Sequence, residues 1–277
     1  MTGTHERLGF SVVQKALRGI AAANLKSLRL LTRPDRLTEY LREVEEAYQP
    51  YAQLPVETIE LPEILGRDFA EPLFLPLGHV RSGSSPAGDL AAIAALTRKK
   101  RPRAIFEIGT FEGLSTVVFV KNAGPNVVMH TLDLPHDHHE ISRTSRSFTA
   151  HSITEPYKTG HLIDRFAIRE QTNTYWGDSA IFDFSSFEGA IDLFFVDGAH
   201  TEDYVAGDSC RAFECIASDG WVLWHDCFTP QVLKVLKQIA QSTKVYQIRG
   251  TDLALATSKP SADVLSRYRR TTSNSYS

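Results

Sequence analysis

Gly109 and Gly113 stand four residues apart, directly after the apolar run Ala104, Ile105, Phe106 and Ile108 and just ahead of Leu114, Val117, Val118 and Val120 at helical spacing. A short run that is apolar at nearly every position is the pattern of a strand buried on both faces of a parallel sheet. The glycines permit a tight turn, and the turn opens a helix whose first backbone N–H groups point outward. Strand, glycine turn and helix in that order form half of a nucleotide site and favour a doubly wound α/β architecture. Glu107 interrupts the apolar run. A carboxylate there is costly unless a cation or hydrogen-bond donors meet it, so its place near the strand's end points toward a ligand.

The interval between the glycines bears on which ligand. A dinucleotide fingerprint needs GxGxxG so that the backbone can close onto a pyrophosphate. Here Phe111 and Glu112 lie between the glycines, and an acid at that point repels a diphosphate. The next apolar run, Val127 to Leu132, ends at Asp133, roughly 20 residues beyond the turn, where an acid can accept both hydroxyls of a ribose. The ligand so described has a ribose and a positive end but no phosphate. S-adenosylmethionine has these properties, including an ammonium that Glu107 can approach.

Two later runs supply reactive groups. Ile191, Leu193, Phe194, Phe195 and Val196 form a buried strand that ends at Asp197, with Gly198 freeing the backbone to turn and His200 following. Trp221 to Trp224 form the next strand, after a turn at Asp219 and Gly220, and end in His225 and Asp226. In an open parallel sheet the side chains at the carboxyl ends of the strands converge on the ligand crevice.

From about Ala104 to Lys259 the chain resembles the class I S-adenosylmethionine-dependent methyltransferases, in the branch with an EIGT first motif, a VDGxH fourth motif and an HD fifth motif that includes small-molecule O-methyltransferases. Asp219 replaces the first glycine of that fifth motif. The resemblance implies a Rossmann-like, doubly wound, mostly parallel seven-stranded sheet with an antiparallel C-terminal edge hairpin. It implies that Glu107, Gly109, Thr110, Phe111, Gly113 and Ser115 wrap the methionine part and ribose of the cofactor, that Asp133 holds the ribose, that Asp178 touches the adenine and that Asp197 borders the same pocket. Asp178 also reads as an N-cap for the segment that follows it, and the two roles are compatible.

Methyl transfer to a hydroxyl needs in-line approach of oxygen to carbon, and an unactivated alcohol is a poor nucleophile at neutral pH. His200 stands where related enzymes place the base, and an imidazole is suited to accept the proton. A divalent cation held by carboxylates can acidify the hydroxyl, and Asp197, Asp226 and His225 form the candidate ligand set. Related metal-dependent enzymes carry an asparagine where this chain has Cys227, and a thiol suits zinc or iron better than magnesium. Mg, Mn and Zn are the candidate cations. Catalysis without metal, with His200 as base and Asp226 orienting it, is the competing mechanism. Taken singly, each acid also reads as a strand-end residue that satisfies backbone N–H groups, and His225 as a satisfied structural residue. Two acids at adjacent strand ends, each beside a histidine, favour chemistry.

At 277 residues, 42% hydrophobic and 23% charged, the chain can bury a substantial core. A net charge of -3 gives no general affinity for nucleic acid. Cys210, Cys215 and Cys227 form no CxxC pair and suit a reducing, cytoplasmic compartment. The apolar stretches near Phe10 and Ile20 are interrupted by Lys15, Arg18 and Lys26, which argues against a signal peptide, and no run reaches the length of a membrane span.

Residues Ser11 to Leu31 read as a basic amphipathic helix, which can lie on an anionic membrane surface or pack on its own domain or on a second subunit of a homo-oligomer. A charged helical pattern follows over Arg36 to Tyr48, then a Pro-rich apolar segment to Val80 and a helix over Ser85 to Thr97. The expected domains are an N-terminal helical extension and wrapping segment over 1–84, the methyltransferase core over 85–260 and a tail over 261–277. An insertion over 134–171 carries His136, His138 and His139 and reads as a lid or acceptor-binding element. Its histidines fit a solvated loop or a metal site. Lys244 to Ile248 and Leu253 to Ser258 read as the C-terminal hairpin, joined at Gly250 and Thr251. The function expected is S-adenosylmethionine-dependent O-methylation of a small molecule, a sugar or natural-product intermediate. N-methylation, a non-catalytic binding subunit and an NAD-dependent oxidoreductase are the alternatives.

Overall fold

The computed structural model describes residues 56–66, 69–80, 83–134 and 158–260. The expected helices over 11–31 and 36–48, the histidine run at His136, His138 and His139, and the tail lie outside the described residues. Strand β1 (Glu57–Ile59) and helices α1 (Leu61–Leu65) and α2 (Ala87–Lys100) come first. They are followed by β2 (Ala104–Ile108), α3 (Leu114–Ala123), β3 (Val128–Asp133), α4 (His161–Arg165) and β4 (Thr172–Trp176). The remainder is β5 (Ile191–Val196), α5 (Glu202–Cys215), β6 (Ile216–Trp224), α6 (Pro230–Ile239), β7 (Tyr246–Ile248) and β8 (Ala254–Ala256).

These strands form one sheet in the order β1-β7-β8-β6-β5-β2-β3-β4. Every neighbouring pair is parallel except the two made by β8, with β6 and with β7. The doubly wound expectation holds, with one correction: among the described residues the sheet has 8 strands instead of seven. The addition is β1, which pairs parallel with β7 and removes the C-terminal hairpin from the sheet's outer edge. A strand of this kind covers N–H and C=O groups that β7 would otherwise expose.

Side-chain alternation along the central strands divides the core into two layers. Ile105, Leu193, Phe195 and Leu223 face one side and pack with Leu90, Ile93, Val117 and Phe119 of α2 and α3. Phe106, Phe194, Val222 and Trp224 face the other, with Val205 and Phe213 of α5 and Val232 and Val235 of α6. Phe106 and Phe194 stack across β2 and β5 with ring centroids 5.0 Å apart. This rigid double layer fixes the strand ends that carry the polar residues.

Helix α2 runs on to Lys100 and stops at Arg101, which takes a left-handed φ of 51° immediately before Pro102. Helix α5 gives way to strand at Ile216, and the chain then folds back tightly at Gly220, where an added Cβ would lie 2.6 Å from the Ile216 side chain. Asp219 beside it accepts from Lys100 Nζ through both its carbonyl, at 2.7 Å, and its carboxylate, at 2.9 Å. That pairing accounts for an acid where the family pattern has glycine. Among the described residues no helix is long and apolar enough to cross a membrane.

Candidate active site

Strand β2 lies between β3 and β5, so the winding of the chain reverses there and leaves a crevice beyond the strand ends. Gly109 ends β2 with a φ of 98°, and a Cβ on it would meet the carbonyl oxygen of Asp197 at 2.0 Å. Only glycine lets the two backbones approach this closely. Phe111, in the same turn, takes a φ of 47°, a conformation that is costly for a bulky side chain and concentrates at functional sites. Its N–H donates to one carboxylate oxygen of Asp133 at 2.7 Å, while the N–H of Leu134 donates to the other at 2.7 Å. Asp133 is thereby locked at the end of β3 beside the turn. Gly113, with a φ of 89°, leads into α3.

Glu107 is placed differently from the expectation. It shares the α3 face of β2 with Ile105, is 0% exposed, and accepts from Ser115 at 2.5 Å, Thr116 at 2.5 Å and Thr131 at 2.8 Å. Burial pushes its carboxyl up to about 7 despite these three donors. Its oxygens therefore face hydroxyls of the scaffold, and the expected direct approach to a ligand ammonium is corrected to a role behind the turn. Ser115 and Thr110 are buried as well, the latter in hydrogen-bond contact with Thr131 at 2.6 Å, so they shape the turn from within. A pair of hydroxyls at buried helix positions was the sequence signal for this arrangement.

Asp178 follows β4 and accepts from the Ala180 N–H at 2.9 Å and from the Tyr204 hydroxyl at 2.8 Å. The segment after it is a turn, so the N-cap expectation becomes an Asx-type turn closure. Behind it Asp208 of α5 is buried, and burial, reinforced by the charge of Asp178, pushes its carboxyl up to about 7.

The fourth- and fifth-motif residues converge as expected. Nε2 of His200 lies 2.8 Å from the Asp226 carboxylate. Nδ1 of His225 lies 3.2 Å from Asp197 and 3.1 Å from Asp226. Asp226 occupies a left-handed φ of 53°, which turns its side chain back toward the end of β5. Burial pulls His200 downward, but the hydrogen bond to Asp226 and the charges of Asp226 and Asp197 outweigh it and leave the ring raised. His225 is likewise raised by the two carboxylates against a still larger burial. The acids divide: burial raises Asp197, while the histidines hold Asp226 below the usual carboxylate range in spite of burial.

Cys227, which stands where related metal-dependent enzymes have asparagine, is fully buried and turned toward Asp252, 4.0 Å away, so its thiol stays out of the cluster. Asp89 was not foreseen. It reaches the cluster from the first turn of α2, with a carboxylate oxygen 3.0 Å from Nε2 of His225. In the sequence it reads only as an acid favouring a helix N-terminus.

The sheet order and the polar strand ends at its reversal define an α/β protein of the Rossmann type with a ligand crevice. Residues 106–227 match a family described as a methyltransferase domain. The match takes in the glycine turn, Asp133, Asp178 and the whole acid–histidine cluster except Asp89. No curated protein matches the chain. Among solved structures, an O-methyltransferase from Bacillus cereus in complex with SAH is similar at 14% identity and TM-score 0.49, covering 86% of this chain and 99% of that one. The O-methyltransferase TomG from Streptomyces achromogenes, in complex with SAM, is similar at 16% identity and TM-score 0.47, covering 80% and 98%. An SAH-bound methyltransferase from Podospora anserina matches at 14% identity and TM-score 0.47, covering 64% and 80%.

Proposed function

We propose that the chain is an S-adenosylmethionine-dependent methyltransferase that acts on a hydroxyl of a small molecule, of the class of a sugar or natural-product intermediate, with His200 as general base and a divalent cation at Asp197, Asp226 and His225. The observation that carries the reading is the His200–Asp226 pair, 2.8 Å apart at the end of the crevice. An ionised carboxylate only accepts, so Nε2 carries the hydrogen and the lone pair of the neutral ring sits on Nδ1. That atom takes the hydroxyl proton as the oxygen–carbon bond forms and the sulfur–carbon bond breaks in line with it. Asp226 then balances the imidazolium charge, as the acid of a catalytic triad does. Asp133, fixed by two backbone N–H groups at the end of β3 beside the glycine turn, is the acid for the ribose hydroxyls of the cofactor.

The donor set fits a cation. One ligand atom from each of Asp197, His225 and Asp226 lies within 4.8 Å of the others, and Nδ1 of His225 is buried without a hydrogen bond of good geometry. A divalent ion held there would supply positive charge that lowers the pKa of the acceptor's hydroxyl. With a ring nitrogen among its donors and the Cys227 thiol excluded, the site suits manganese or zinc better than magnesium.

The test follows methyl-labelled S-adenosylmethionine into a pool of small metabolites with purified enzyme, then identifies the labelled atom. Label on oxygen, lost in His200→Ala, supports the reading. Label on nitrogen replaces it with N-methylation, and tight binding of S-adenosylhomocysteine without transfer to any acceptor replaces it with a binding subunit. A calorimetric preference for NAD over S-adenosylhomocysteine would remove it altogether.

A further inference from the structure

We infer that Asp89 is a positioning residue of this centre: by accepting from Nε2–H of His225 it commits Nδ1 of that ring to the ligand position between Asp197 and Asp226. The inference rests on the cation reading above and adds to it a residue from a helix outside the motifs.

Asp89 is 3% exposed, and both its oxygens are engaged. One lies 3.0 Å from Nε2 of His225. The other accepts the backbone N–H of Asp252 at 3.1 Å, in the turn between β7 and β8. The carboxylate is thus anchored in direction as well as in place. The His225 ring is packed edge-on against Phe195, with centroids 6.3 Å apart and planes at 71°, which leaves it little freedom to swing.

A neutral imidazole has one N–H and one lone pair. If Nδ1 carried the hydrogen, it could donate to Asp197 or Asp226 and close the space between them. Asp89 opposes that tautomer, because it would set the Nε2 lone pair against a buried carboxylate. With the hydrogen on Nε2, a bare Nδ1 lone pair faces two anionic oxygens at 3.2 and 3.1 Å, an arrangement that a proton or a cation at Nδ1 relieves, and in either case Asp89 accepts from Nε2–H. A carboxylate behind a histidine is the usual support of a metal ligand, fixing tautomer and orientation and making the nitrogen more basic.

The experiment uses the full chain stripped with chelator and measures binding of Mn2+ alone by loss of its free electron paramagnetic resonance signal. Calorimetry of S-adenosylhomocysteine runs in parallel. Asp89→Ala should weaken Mn2+ binding about 10- to 100-fold while S-adenosylhomocysteine affinity stays within about twofold. Asp89→Asn, whose carbonyl can still accept from Nε2–H, should fall between it and wild type, and it serves alone if the alanine variant does not fold. In a His225→Ala background the Asp89 change should cost nothing further, because the ring through which it acts is gone.

Unchanged Mn2+ affinity in the Asp89 variants overturns the inference. So does a parallel fall in S-adenosylhomocysteine affinity, or an Asp89 effect that persists without His225. If the wild type takes up no Mn2+ yet transfers methyl to a hydroxyl, the cation and the role of Asp89 both fall while O-methylation stands. Asp89-dependent Mn2+ binding by a protein that methylates nothing would separate them the other way.

Discussion

A Cβ on Gly109 would lie 2.0 Å from the carbonyl oxygen of Asp197, so the glycine turn and the first acid of the acid–histidine cluster meet backbone to backbone. One bond latches them, from the Asp197 N–H to the carbonyl of Ile108 at 2.9 Å, while the Gly109 N–H donates to Leu132 of β3, also at 2.9 Å. The turn of β2 therefore cannot move without displacing the end of β5.

Gly109→Ala forces both a disfavoured φ and a clash with backbone, which no rotamer change relieves. It should destabilise the protein by about 3 kcal/mol or more and abolish S-adenosylhomocysteine binding. Thermal unfolding and calorimetric titration check the two effects. A variant with wild-type affinity would show that the strand ends can separate.

His200→Gln keeps a polar side chain but removes the proton acceptor. On an identified hydroxyl acceptor kcat should fall about 10²- to 10⁴-fold, with S-adenosylhomocysteine affinity within about twofold of wild type. Steady-state kinetics beside calorimetry distinguish a lost base from a damaged cofactor site.

Thr116→Val takes from buried Glu107 one of its three hydroxyl donors. Because the Glu107 carboxyl is raised to about 7 from an ordinary 4.5, its contribution to stability is fully present below pH 4.5 and declines as pH rises to 7. The lost donor served the ionised form most strongly, so the variant should cost about 1–3 kcal/mol at pH 8 and less at pH 5. Urea unfolding at both values reads this directly, and an equal cost would remove the ionised form from the account.

Asp208→Asn works in the opposite sense. Asp208 is raised to about 7 from 3.8, chiefly by burial, and its Oδ2 makes no hydrogen bond. Wild-type stability should decline between pH 3.8 and pH 7 by an amount that the neutral amide does not lose. At pH 8 the variant should gain about 1 kcal/mol relative to its standing at pH 4, measured by denaturant unfolding.

The central strands were legible because burial on both faces leaves a nearly continuous apolar run: Ala104–Ile108 and Ile191–Val196 fall where the composition places them. Helix α2 outran its expected end because Arg98, Lys99 and Lys100 carry no apolar signal, although charged residues sit comfortably in an exposed last turn. Strand β1 gave no cue: three residues, largely exposed, paired with β7 far along the chain. The direction of Glu107 was readable from alternation alone, since it shares a face with Ile105 rather than with Phe106 and Ile108. Asp89 was not readable, because its partner His225 lies 136 residues away and nothing local distinguishes it from a solvated helix start.

The bond from Asp89 to the N–H of Asp252 joins positions 163 residues apart. Closing a loop of that length is deferred until shorter-range contacts have formed, so the imidazole's support comes late in folding. A nascent chain released before its final hairpin would carry the glycine turn and Asp133 yet lack one of the clasps that steady the ring.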